Sequence, residues 1–270
     1  MPQEPRKAEE LIVASAEIAG AAVGGALGFL AGGPAAAAGA GALGVLITKG
    51  ASRLLIDFAN RNLSFREEVR VGAAASFALA EIQRRLDEGQ QPRDDGFFGN
   101  NASRRTSAEE LFEGVLQKSK NEHEEKKIKM LGNFFASIAF SPDVSVGEAN
   151  HLLRVAENLT YRQMCVLAIL SAKSRLPDIR FRTTYYESVV GLLTYDNVSL
   201  LQEVFDMYTY GLLAQRNEER TGYIILNQWA NLAPDLLQLT SNGERLASLL
   251  GLAEGVPEED LQMILACFLM

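Results

Sequence analysis

Histidine, cysteine and tryptophan are scarce in this 270-residue chain, which holds two His, two Cys and one Trp. The histidines, His123 and His151, have no Cys-x-x-Cys pair to complete a zinc site. Glu148 and His151 make a single Glu-x-x-His, whereas a di-iron bundle needs two such motifs and two further carboxylates. Cys165 and Cys267 stand far apart in apolar contexts, which predicts buried free thiols in a reducing, cytoplasmic setting. There is no GxxxxGK[ST] phosphate loop and no Gly-x-Ser-x-Gly elbow. No strand precedes Gly20 to Gly25, so that stretch is not a dinucleotide loop. The expectation is therefore no enzyme, no cofactor and no metal. Positive charge is short as well, with 26 Lys and Arg against 34 Asp and Glu. A net charge of -8 argues against coating nucleic acid, because phosphate binding needs clustered cations.

What the chain does have is an unusual apolar run. Ile18 to Thr48 is 31 residues without a formal charge, and Gly or Ala fills nineteen of the twenty-five positions from Gly20 to Gly44. Gly20, Gly24, Gly28 and Gly32 recur every four residues, so on one helix they form a ridge without side chains along which a second helix can approach. Each Gly costs about 1 kcal/mol against Ala in a helix interior, so such a ridge needs a compensating gain from close packing or from lipid. Gly33-Pro34 is expected to break the run, because Pro cannot continue the preceding ladder. The expected product is a helical hairpin with arms Ile18 to Gly33 and Ala35 to Thr48. At 1.5 Å per residue the arms would be about 24 Å and 21 Å long, short of a hydrocarbon core of about 30 Å. A hairpin so balanced suits shelter in one state and membrane insertion in another, with copies packed through their ridges. The leader Met1 to Glu17 carries more Glu than Arg and Lys, which argues against a secretory signal.

Beyond the hairpin the pattern is mainly helical. Ser64 opens a helix to about Gly89, with Val69, Ala73, Phe77, Ala80 and Leu86 on one face. Gly89 to Thr106 lacks periodicity and reads as a mobile linker, in which Phe97-Phe98 is a candidate partner-docking pair or folds back onto its own core. A capping box at Ser107 to Glu110 predicts one long helix to about Phe140. Its charged stretch, Asn121 to Lys129, pairs Glu122 with Lys126 and Glu125 with Lys129 on a solvated face. Further boxes at Ser145 to Glu148 and Thr160 to Gln163 open two more helices.

In the last third, helices at Thr160 to Leu170, Tyr185 to Leu193 and Asn197 to Tyr210 precede strands near Leu212 to Gln215, Tyr223 to Leu226 and Leu237 to Leu239. A short helix, Glu244 to Leu250, and a last helix behind Pro257 close the chain. That order is winged-helix-like with a small β wing. Its third helix has Glu203 and Asp206 but no Lys or Arg, and from Leu159 onward there are 8 basic against 13 acidic residues, so protein contact is expected in place of DNA. Three regions result: a glycine-zipper hairpin at 1–62, a helical region at 63–158 with linker 89–106, and the winged-helix-like domain at 159–270.

The segments KKIKMLGNFFASIAF (Lys126 to Phe140), LTYRQMCVLAIL, Tyr210-Gly211-Leu212-Leu213 and LTSNGERLASLL resemble bacterial abortive-infection proteins of the alpha type, over about residues 107 to 251. The resemblance implies killing or arresting the host cell during phage infection, and carries no active-site residues. With the zipper it makes the first expectation a non-enzymatic effector at the inner membrane, permeabilising it as a homo-oligomer. Gly20, Gly24, Gly28, Gly32 and Pro34 are its packing residues, and lipid, further copies of the chain and a sensor protein its partners. The alternative expectation is a soluble oligomeric scaffold whose hairpin packs inside the assembly, and a lesser one is a DNA-binding regulator.

Overall fold

The computed structural model describes residues 4–36, 41–99, 105–173, 180–187, 191, 193–216 and 223–269. They form two units, Met1–Glu157 and Asn158–Met270. The chain is mainly helical, with one small sheet among the described residues.

The first unit is built around one helix. Its elements are α1 (Glu4–Ala14), α2 (Ala16–Ala19), α3 (Ala22–Ala36), α4 (Gly41–Ala59), α5 (Phe65–Asp87), α6 (Ser107–Asn121), α7 (Lys126–Ile138) and α8 (Val146–Asn158). Helix α5 touches α1, α2, α3, α4, α6 and α7. Val69, Val71, Ala73, Ala74, Ala75, Ala78, Leu79 and Ile82 are all buried, so the middle of α5 is apolar on nearly every side while its first and last turns carry the charges. Its small side chains bring the neighbours close. A Cβ on Gly72 would overlap the carbonyl of Leu11 in α1, and one on Gly132 of α7 would lie 2.7 Å from the carbonyl oxygen of Ala74. These two glycines, outside the zipper, make the tightest helix approaches of the unit. The hairpin region and the helical region expected as separate segments thus share one core, in which Phe29, Phe58, Phe112 and Phe134 are fully buried at about 1.5–3 kcal/mol each.

Several boundaries differ from expectation. Gly20 does not extend the helix of Gly24 and Gly28, because its φ of 51° and ψ of -122° place it at a break between α2 and α3. Gly33-Pro34 does not end the first arm: α3 runs to Ala36, two residues beyond the proline. Residues 37–40, between α3 and α4, lie outside the described residues. The second arm continues through Lys49, Arg53 and Asp57 to Ala59, because Ile47, Ala51, Leu54, Leu55 and Phe58 make one buried face.

The helix expected from Ser107 to Phe140 is two. Its cap is Thr106, whose hydroxyl accepts from the Glu109 N–H while the Glu109 carboxylate accepts from the Thr106 N–H, so the box lies one residue earlier than read. At Glu122 the backbone turns extended (φ -73°, ψ 130°) and α7 starts four residues later. The break buries an ion pair: Glu122 and Lys127 are both almost wholly enclosed, Glu122 accepts from the N–H groups of His123 and Glu124, and Lys127 donates to the Glu157 carbonyl. The solvated pairing of Glu122 with Lys126 is thus replaced by a buried one. Linker residues 89–99 are likewise held in place. The Arg93 N–H donates to the Ala139 carbonyl, its guanidinium donates to the Val144 carbonyl and to Asp95, and it stacks on Phe97.

The second unit comprises α9 (Tyr161–Ala172), α10 (Tyr195–Thr209), β1 (Leu213–Arg216), β2 (Tyr223–Ile224), β3 (Leu237–Leu239), α11 (Ser241–Leu249), α12 (Leu252–Gly255) and α13 (Glu258–Leu269). The strands are antiparallel in the order β2-β1-β3, with Gln215 opposite Ile224 and Leu213 opposite Leu239. Caps at Thr160 and Thr194 set the two long helices, and Gly243 is required because a Cβ there would overlap the Leu212 carbonyl. Of the helix expected at Tyr185 to Leu193, Tyr185 is not helical and Tyr186, Glu187 and Gly191 are in 3-10 conformation; residues 188–190 and 192 lie outside the described residues. Tyr186 is fully buried and its hydroxyl donates to the Cys267 carbonyl at 2.8 Å, which fixes that segment by tertiary contact.

Candidate functional site

Helix α3 has two faces of opposite character. On one, Ala26 and Phe29 are buried and Gly25 approaches α5 so closely that a Cβ on it would lie 3.0 Å from the Ala80 Cβ. On the other, Gly24 and Gly28 are exposed, and an added Cβ at either would meet nothing within 4 Å. The helix therefore uses Gly25, not the four-residue ridge, for contact within the chain. Gly20 is exposed too, but its positive φ gives it a separate reason to be glycine. Gly32 and Pro34 lie in the last turns of α3. Among the described residues no helix is long and apolar enough to cross a membrane.

Helices α4, α6 and α7, with Phe98 and Thr106, line a half-open cavity of about 320 Å3. Ile47, Ala51, Phe98, Ala108 and Phe135 give it an apolar interior, and Lys49 and Arg53 stand on its α4 side. Gly50 lets α4 come near α6, since a Cβ there would lie 3.3 Å from the Glu109 side chain. Glu109 is buried with both oxygens occupied, one by Arg53 and the other by the Thr106 N–H. Phe97 and Phe98 are 3% and 4% exposed, pack edge to face, and are held by the Asp95 carboxylate, which accepts from the Phe97 N–H. Their expected role as a docking pair is corrected: they fold back onto their own unit, and Phe98 becomes a wall of the cavity. Arg93, which the sequence reading passed over, is the residue that seats them. An arginine beside Asp94 and Asp95, between Pro92 and Gly96, was the available signal.

Elsewhere the polar groups are satisfied locally. Arg162 pairs with Glu203 and Asp196 and donates to Ser199, tying α9 to α10 and using the acidic groups of the helix weighed against DNA. Hydrogen bonding to Glu203 holds the Arg162 guanidinium well above its ordinary range. Among the described residues one trio of acid and histidine ligand atoms comes together, Glu122-His123-Glu124, but Glu122 is already held by Lys127 and two backbone N–H groups. On α8, Glu148 is half-buried and His151 is exposed. Cys165 and Cys267 are buried free thiols. Comparison with protein families, with curated proteins and with solved structures finds no match for this chain.

Proposed function

We propose that the chain is a non-enzymatic, self-assembling effector of the abortive-infection kind, acting at the bacterial inner membrane through its N-terminal hairpin. The observation that carries this reading is the open ridge at Gly24 and Gly28. A helix that already packs on α5 through Gly25 and buries Ala26 and Phe29 has no internal use for two more glycines on its exposed face, and each weakens it by about 1 kcal/mol against Ala. A second copy, or the same hairpin from a neighbour in lipid, supplies the close helix contact that offsets this cost. The winged-helix-like order of α9, α10, the sheet and α11 belongs in this reading to protein contact with a sensor or with further copies. The acidic balance of the region supports protein over DNA.

A second reading has its own support: a scaffold that assembles through the same ridge without entering lipid. Favouring it are the amphipathic packing of α4, whose Leu54, Leu55 and Phe58 are buried against the unit, and the charges Lys49, Arg53 and Asp57 along its length. Dye-filled vesicles of anionic phospholipid separate the two. The effector reading expects leakage with the wild-type chain and its loss in Gly24→Leu/Gly28→Leu; assembly without leakage or flotation with the vesicles supports the scaffold.

A further inference from the structure

The cavity bounded by α4, α6 and α7 has a composition that selects a ligand class. Its interior walls, Ile47, Ala51, Phe98, Ala108 and Phe135, are apolar and buried. Its α4 side carries Lys49 and Arg53, one helical turn apart, so their Cβ atoms are about 5–6 Å apart. The one acid of the lining, Glu109, has both carboxylate oxygens engaged. Lys49 is exposed and has no acidic partner among the described residues, and the Arg53 side chain is 61% exposed. Two cations against one committed carboxylate leave an apolar chamber with surplus positive charge at its edge.

We infer that this cavity binds a free, single-tailed aliphatic carboxylate, its tail against Phe98 and Phe135 and its carboxylate on Lys49 and Arg53. The head group gains charge-assisted hydrogen bonds from both cations, and Arg53 keeps donors to offer because Glu109 engages one edge of the guanidinium. A cationic amphiphile meets repulsion at the same place, and a neutral alcohol leaves the two cations unanswered. At about 320 Å3 the chamber lies at the low end of ligand cavities, roughly 300–1,000 Å3. A volume of that size suits one short aliphatic tail.

Calorimetric titration of the full chain with decanoate, below micelle formation, tests this against decyltrimethylammonium and decanol, which keep the tail and change the head. Saturable binding of one decanoate is expected, at least tenfold tighter than either control and at least tenfold weaker in Lys49→Glu. Ala51→Phe, which fills the chamber, is expected to remove binding. Lys49→Glu alters only an exposed side chain, so it decides the matter if Ala51→Phe fails to fold. No saturable decanoate binding, equal binding of the three amphiphiles, or unchanged affinity in Lys49→Glu overturns the inference. None of these variants touches Gly24 or Gly28, so failure here is separate from failure of the assembly reading.

Discussion

Glycine carries two opposite meanings in this molecule, and only the neighbours of each residue distinguish them. Gly72 and Gly132 are filled sites, where an added methyl group runs into backbone carbonyls that cannot move away. Gly72→Ala and Gly132→Ala are expected to cost at least about 1–3 kcal/mol each in urea unfolding, the usual range for overpacking. Gly24→Ala and Gly28→Ala meet open space in a helix and are expected to raise the stability of the isolated chain by up to about 1 kcal/mol each. The sequence pattern drew attention to the spaced glycines and passed over Gly72, which stands alone before three alanines. Spacing reveals which residues share a face, not which face meets a neighbour. Caps were more readable, because Ser64 and Thr160 act through residues three positions on. The buried pair Glu122–Lys127 was hidden inside a charged run whose spacing also fits a wet helix face. Lys127→Met leaves the Glu122 charge buried without its cation, and is expected to cost about 3–5 kcal/mol by the same unfolding measurement.

At the scale of elements, α9, α10, α11, α13 and the strands of the second unit lie close to where the sequence puts them, whereas the segment from Tyr185 and the connections do not. Residues 89–99 read as mobile because they are polar and glycine-rich, yet Arg93 and Asp95 fasten them to the carbonyls after α7 and to the Phe97 amide. Such anchoring depends on residues more than forty positions away and leaves no periodic trace. It does leave a pH signature. Hydrogen bonding from Arg93 holds the Asp95 carboxyl below the ordinary aspartate value of about 3.9. The folded state then binds fewer protons than the unfolded one, so this contribution is complete above that value and fades as pH falls through the lower, folded one. Hydrogen exchange of residues 93–99 is expected to lose protection on acidification below about pH 4 while the centre of α5 keeps its own, and Asp95→Asn is expected to abolish that difference.

For the whole molecule, α3 and α4 are shared components of the first unit's core. Helix α3 gives Ala26 and Phe29 to the core, and α4 gives Leu55 and Phe58, so withdrawing the pair into lipid would strip the unit of fully buried side chains. Assembly through the exposed ridge asks for no such loss, which is why self-association is the claim on which both proposed readings rest. The general plan was legible in the sequence: mainly α, with a small sheet late. The docking of α3 on α5 was not, because Gly25 and Ala80 meet by shape alone, without charge or motif.

Sedimentation equilibrium of the wild-type chain and of Gly24→Leu/Gly28→Leu, at matched concentrations and with circular-dichroism melts of both, tests that claim most directly. The account predicts an oligomer for the wild type and a monomer with an undiminished melting temperature for the variant. The same mass for both proteins would contradict it.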